Sequence, residues 1–166
     1  MGPAFQAWSV DAPDPRLGQV RLTGALTEVP GSRKLVVLVH GLGGSCDSSY
    51  MLRAASLAEQ LGVSALRLNL RGADRQGADL YHAGLSRDLD AVLSSPAFRG
   101  IEEVLLLGFS LGGHISLRYA LADHDPRLRA VAAACTPRDL DCSVTAVDGP
   151  AGGVDPPDKH NRECDN

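Results

Sequence analysis

Strand-like and helix-like segments alternate without interruption through the middle of this chain of 166 residues. Residues 34–40 form an apolar run that predicts a strand buried on both faces, because a strand with one wet face would show polar alternation. An amphipathic segment follows, and the strand-like pattern recurs at residues 63–70, 104–107 and 130–135. Such alternation predicts an α/β fold with a mostly parallel sheet and flanking helices.

The segments between and before these strands have recognisable boundaries. We expect the first helix to begin at a cap formed by Asp47 or Ser48 and to end at Gly62, and a later helix to stop before Pro96. Residues 20–26 alternate in polarity, which predicts an antiparallel hairpin at one edge of the sheet.

The composition changes abruptly after Leu140. Gly, Pro and Asp dominate the sequence from residue 144 to the end, which leaves too little apolar surface to offset the entropy of ordering. The sequence therefore predicts a partial α/β domain over residues 1–142, ending before the last strands of its fold, and a disordered tail over residues 143–166.

Composition narrows the classes of partner. A net charge of −4 argues against nucleic acid or an anionic membrane. No apolar run approaches the roughly 20 residues that span a bilayer, and the first residues lack the features of a signal peptide. The four cysteines, Cys46, Cys135, Cys142 and Cys164, lack the spacing of metal ligands, which predicts free thiols in a cytoplasmic protein with no metal or cofactor.

A G-x-S-x-G motif at residues 108–112 directly follows the strand-like run 104–107. Between a strand and a helix this motif predicts a sharp turn that exposes Ser110 as a nucleophile, with glycine at 108 and 112 because side chains there would collide with neighbouring backbone. The alternative is that Ser110 only caps the helix that follows.

A second glycine-rich turn, HGLGG, ends the first long strand at residues 40–44. Acyl transfer places negative charge on a carbonyl oxygen, which preorganised backbone N–H groups stabilise. We expect those donors to be Leu42 and Leu111, the residue after the nucleophile. A phosphate-binding turn is the alternative, but the lysine of that motif is absent.

Five blocks, in this order, carry a family resemblance: LVVLVHGLGGSCDSSYM, LRLNLRGAD, YHAGLSRDLDAVL, GFSLGGHISLRYAL and RAVAAACTPRDL. Together they resemble the α/β-hydrolase superfamily, and in particular its YheT-like branch of predicted esterases and lipases. The resemblance implies a serine mechanism on carboxylic esters, with Ser110 as nucleophile and residues 40–44 as the oxyanion loop. It also matches Tyr81 and His82 to a block that is structural first and site-lining second.

The base and the acid of a triad are harder to place. The order in this fold is serine, acid, histidine, and His40, His82, His114 and His124 each lie in an unsuitable segment. His160 is the one histidine that follows Ser110 beyond the last strand, and Asp139 or Asp141 follows that strand at the correct end of the sheet.

Two functional hypotheses therefore remain. The chain is a serine hydrolase of small-molecule carboxylic esters that is catalytically incomplete in this form, or it is a non-catalytic module that binds an acyl or ester-like ligand. In either case we expect self-association through an exposed sheet edge near residues 130–135.

Overall fold

The computed structural model describes residues 5–74, 82 and 84–136, and within them it shows a mixed sheet of six strands with flanking helices. The strands are β1 (Gln6–Asp14), β2 (Gly18–Thr27), β3 (Lys34–Val39), β4 (Ser64–Asn69), β5 (Glu103–Phe109) and β6 (Leu128–Ala134). The helices are α1 (Ser49–Gln60), α2 (Asp88–Leu93) and α3 (Leu111–Leu121), with a short 3₁₀ turn at Pro96–Phe98.

The strand order across the sheet is β1-β2-β4-β3-β5-β6. The last four of these strands in space, β4, β3, β5 and β6, are parallel, whereas β1 and β2 form an antiparallel hairpin that pairs with β4. The predicted α/β fold, its parallel strands and its edge hairpin are confirmed.

Element boundaries differ from expectation in detail. Ser48 is the N-cap of α1, but its side chain makes no capping bond to the helix, and Gly62 ends the helix with a φ of 75°. The helix before Pro96 has only six residues and begins at Asp88. The domain boundary at residue 142 and the predicted tail lie outside the described residues.

Two apolar layers cover the two faces of the sheet. One face packs against α2 and α3, around Leu66, Leu106 and Tyr119. The other, which we call the α1 face, packs Leu38 and Ala65 against α1. Because β3 is covered on both sides, five of its six residues are buried, as its continuous apolar sequence predicts.

The hairpin is fastened to the rest of the fold by polar and aromatic contacts. Trp8 donates a hydrogen bond of 3.2 Å from its indole to the Ser95 hydroxyl and stacks on Phe98. The Arg71 guanidinium, just after β4, bonds Asp88 through two nitrogens at 2.6 and 2.7 Å and also binds Asp14 at the end of β1. These contacts hold β1 against α2.

Candidate functional site

Ser110 lies at the turn between β5 and α3. Its φ of 51° lies in the left-handed region. Among the non-glycine residues that the structure describes, Cys135 is the other one with a positive φ. Strained backbone of this kind persists where the surrounding structure forces it and is frequent at functional sites. The Ser110 side chain is half-buried and makes no capping hydrogen bond to α3, so helix capping does not explain it.

The neighbouring glycines are required by close backbone contacts. A Cβ at Gly108 would overlap the Gly112 carbonyl group, and a Cβ at Gly112 would overlap the carbonyl oxygens of Val39 and His40. The turn therefore packs directly against the end of β3, which is the physical reason for the glycine spacing seen in the sequence.

The HGLGG turn lies beside this serine. A Cβ added to Gly41 would be 3.0 Å from the Ser110 Cβ and 3.7 Å from its Oγ. The structure thus brings together the two motifs, which lie about 70 residues apart in the sequence.

His40 fixes the start of this turn. Its Nε2 accepts a hydrogen bond of 3.1 Å from the Leu70 N–H, so Nδ1 carries the proton and donates to the Gly41 carbonyl at 2.7 Å. Burial lowers the pKa of His40, which favours this neutral form. Both ring nitrogens are occupied, so His40 is a structural residue of the turn.

Three N–H groups of the turn have acceptors within the described residues. Those of Gly41, Gly44 and Ser45 donate to the Tyr50 hydroxyl at 3.3 Å, the Gly41 carbonyl at 3.1 Å and the Ser48 hydroxyl at 3.0 Å. The Leu42 N–H has no acceptor among the described residues, and its side chain is 79% exposed. The turn, whose Gly41 lies against Ser110, therefore offers a free donor at Leu42.

The start of α3 offers donors of the same kind. The N–H groups of Gly113 and His114 both bond the Ser110 carbonyl, at 3.0 and 3.2 Å. Those of Leu111 and Gly112 have no acceptor in the described part of the chain, as expected for the first residues of a helix. Free amides at a helix N-terminus favour negative charge at that point.

None of the histidines in the described residues is hydrogen-bonded to the serine. Within the described residues the Ser110 hydroxyl makes no hydrogen bond. His82 is exposed and accepts from the Gly84 N–H, and His124 is exposed and contacts the Ala122 carbonyl; His114 lies half-buried on α3. Tyr81, Asp139, Asp141 and His160 lie outside the described residues.

Both cysteines in the described residues are free thiols. Cys46 is buried and free, and burial, with Asp47 nearby, raises the pKa of its thiol, which disfavours the thiolate. Cys135 is free and exposed at the end of β6. No cluster of His, Cys, Asp and Glu in residues 5–74, 82 and 84–136 has the geometry of a metal site.

Two polar residues of β4 bind the chain just after the HGLGG turn, although no role beyond the LRLNLRGAD block was expected of them from the sequence. Arg67 donates from Nη1 to the Cys46 carbonyl at 2.6 Å, and the Asn69 Oδ1 accepts from the Cys46 N–H at 2.7 Å. The signal was present, because residues 67 and 69 are polar at a spacing of two within an otherwise apolar strand.

Comparison with known protein families assigns this architecture to one of them. A model of the alpha/beta hydrolase family matches residues 36–162, which is more than half of the chain. The chain belongs to the α/β hydrolase family. No curated protein sequence matches it closely enough to add to this assignment.

Solved structures agree on the fold of this α/β hydrolase. The esterase Pf2001 of Pyrococcus furiosus is 22% identical with a TM-score of 0.67, over 82% of this chain and 55% of that one. A dienelactone hydrolase of Anabaena variabilis is 22% identical (TM-score 0.62, 84% and 67%), and a putative hydrolase of Agrobacterium vitis 18% identical (0.68, 93% and 67%). The chain thus spans about half the length of the esterase. None of the described helices is long and apolar enough to cross a bilayer.

Proposed function

We propose that this chain carries the nucleophile and the oxyanion-binding donors of a serine hydrolase that acts on carboxylic esters. The observation that supports this most is that the turn containing Leu42 lies against Ser110, and that Leu42 and the adjacent Leu111 both have backbone N–H groups without an acceptor in the described residues. The first amides of any helix lack an intrahelical acceptor, so the features that favour a functional role are the free Leu42 N–H and the strained, uncapped serine.

The chemistry follows from this arrangement. The Ser110 Oγ attacks the ester carbonyl carbon, and the π electrons of the carbonyl move onto its oxygen, where the two amides stabilise the negative charge. Collapse of this intermediate expels the alcohol and leaves an acyl group on Ser110, which water then removes. Removal of one such donor in a serine hydrolase costs about 10²–10³-fold in turnover.

The proton of Ser110 needs a base that the described side chains do not supply. We keep His160 as the candidate base and Asp139 or Asp141 as the candidate acid, since they follow the serine in the order of this fold. Without a placed base, turnover falls on the order of a million-fold while binding and the oxyanion donors retain some rate. We therefore propose a site that is catalytically incomplete within the described residues.

The similar structures support a hydrolase reaction, since they include an esterase and a dienelactone hydrolase. Membership in the YheT-like branch, carboxylic ester specificity and a cytoplasmic location belong to this proposal and rest on the sequence motifs and on the free thiols of Cys46 and Cys135.

An alkyl fluorophosphonate tests the nucleophile. We expect slow phosphonylation of the Ser110 Oγ with release of fluoride, located by mass spectrometry of the tryptic peptide. Ser110→Ala should remove the adduct, and Ser9→Ala, an exposed serine on β1, should leave it unchanged. Equal labelling of the wild type and Ser110→Ala would contradict the proposal.

The second candidate function is a binding module without turnover, which the unbonded Ser110 hydroxyl favours. Hydrolysis of p-nitrophenyl acetate and the fluorophosphonate reaction together distinguish the two candidates. Turnover at the rate of an ordinary esterase that Ser110→Ala abolishes would show that a base is in place, and His160→Ala would then test whether His160 is that base. Because an incomplete hydrolase and a binding module would both lack turnover, saturable binding of the ester without phosphonylation of Ser110 would favour the module.

A further inference from the structure

We infer that Arg67 and Asn69 are positioning residues, which hold the Leu42 amide beside Ser110 by fixing the Cys46 backbone to β4. The inference rests on the oxyanion role proposed above for Leu42. It concerns how that donor is kept in place, which neither the motifs nor the family match addresses.

Both polar backbone groups of Cys46 are bound by β4. The Arg67 Nη1 donates to its carbonyl at 2.6 Å, and the Asn69 Oδ1 accepts from its N–H at 2.7 Å. Arg67 is fully buried and Asn69 is nearly so, which shields these bonds from competition with water. The end of the turn therefore cannot move without breaking two buried hydrogen bonds.

The start of the turn is fixed to the same end of β4. The Leu70 N–H, one residue after the strand, bonds His40, which in turn bonds the Gly41 carbonyl. Residues 67–70 thus hold residues 40 and 46, and only residues 41–45 lie between the two fixed points. A segment this short with both ends fixed has few conformations, so its free amide is preorganised.

Burial of the Arg67 guanidinium costs free energy, and packing alone would not explain why an arginine lies at this position. Its Nε and Nη2 have no hydrogen-bond partner, and the nearby Asp47 carboxylate, 3.4 Å from Nη1, is 75% exposed. The Phe5 ring covers the guanidinium, with its centroid 4.8 Å from Cζ. An apolar side chain would fill this buried position at lower cost, so the contribution of Arg67 lies in the bond to Cys46.

Asn69 is oriented for its part by a chain of hydrogen bonds. Its Nδ2 donates to the Thr23 hydroxyl at 3.2 Å, and that hydroxyl donates to the Asp74 carboxylate at 2.6 Å. This direction of donation orients the side-chain NH2 group of Asn69 toward Thr23 and its oxygen toward Cys46.

The first measurement is the backbone order of Leu42, by NMR relaxation of protein labelled with ¹⁵N-leucine. We expect an order parameter near 0.85 in the wild type and below about 0.6 in Arg67→Met and in Asn69→Ala. Arg67→Lys keeps one donor and should recover part of the order. Arg21→Met, an exposed arginine on the same face of the sheet that pairs with Asp11, is the control and should not change it.

The second measurement is the fluorophosphonate reaction, separated into its binding constant and its inactivation rate constant. A misplaced donor should lower the inactivation rate constant about 10-fold or more and leave the binding constant unchanged. If Arg67 and Asn69 only stabilise the fold, their substitution should lower the melting temperature and leave both constants unchanged in the folded protein.

The outcomes separate the two proposals. If Ser110 does not react in the wild type, the proposed function fails, while the Leu42 order parameter still tests the positioning role. If Leu42 is as ordered in Arg67→Met and Asn69→Ala as in the wild type, the inference is wrong. Should Arg67→Met not fold, Asn69→Ala and Arg67→Lys carry the same comparison.

Discussion

Gly112 has no space for a side chain, because a Cβ there would overlap the carbonyl oxygens of Val39 and His40. We expect Gly112→Ala to lower the free energy of unfolding by about 1–3 kcal/mol or more, since the end of β3 would have to shift away from α3. Urea denaturation measures this effect.

Gly100 provides the matched control for this substitution. It is exposed, and a Cβ there would meet no atom within 4 Å. Gly100→Ala should stay within about 0.5 kcal/mol of the wild type. Equal stability of the two variants would show that the backbone contact at Gly112 is not as close as described.

For single residues, the sequence allowed a prediction of position where one short contiguous motif contains the residues involved. Gly108 is required by contact within the turn and Gly112 by contact with the end of β3, but both belong to one short contiguous motif, which was enough to predict the position of Ser110 between strand and helix. The bonds from Arg67 and Asn69 to Cys46 span 21 and 23 residues and depend on how β4 lies beside β3. The polar pair in the strand marks the two residues, but it does not identify their partner.

Among the elements, β1 and α2 are joined through Arg71. Its hydrogen bond to Asp14, aided by the Leu17 and Arg16 amides, lowers the pKa of that carboxyl from 3.8 to about 2. The ionised carboxylate therefore contributes stability that is fully present above pH 3.8 and is lost as the pH falls through about 2.

This pKa shift predicts how acid affects β1. Between pH 5 and 2 the wild type should lose more stability than Asp14→Asn, which has no carboxyl to protonate there. Urea midpoints across that range test it. Asp11→Asn, on the same strand but half-exposed in its pair with Arg21, should follow the wild-type curve. A pH dependence in Asp14→Asn as steep as in the wild type would contradict this assignment.

The sequence predicted the type of each helix and strand better than the residues at which it begins and ends. The helix expected before Pro96 has only six residues, because α2 begins at Asp88, whose carboxylate is bound by Arg71. β6 begins at Leu128, two residues earlier than its apolar run, because Leu128 pairs with Val104 ahead of an irregularity in the register. Partners distant in sequence set these ends.

Across the whole molecule, the α1 face of the sheet differs on the two sides of α1. On the side of the hairpin it carries polar residues, Ser9, Asp11, Arg21 and Thr23, which suit contact with water. On the side of β6 it is apolar. We call this side the open flank; it comprises Tyr50, Ala54, Leu57, Leu61, Leu105, Leu107, Phe109, Ala130, Ala132 and Ala134.

The open flank has the apolar sequence expected of a buried surface, but the described residues do not cover it. The apolar run of β5 predicts a strand buried on both faces, yet Leu105, Leu107 and Phe109 are only half-buried on this face. Ala130 and Ala132 are exposed, and Leu57 and Leu61 are 57% and 70% exposed. A contiguous apolar surface of this kind, beside a strand without a further neighbour in the described sheet, favours association.

We therefore expect the purified chain to associate as its concentration rises, which sedimentation velocity would measure. Ala132→Glu places a charge in the open flank and should shift the chain toward monomer. Ser9→Glu is the matched control, because it places the same charge on the same face at the opposite edge of the sheet, among residues that already face water. A wild type that stays monomeric at all concentrations would contradict the prediction, and so would equal dissociation of the two variants, because burial of the open flank is the only reason for them to differ.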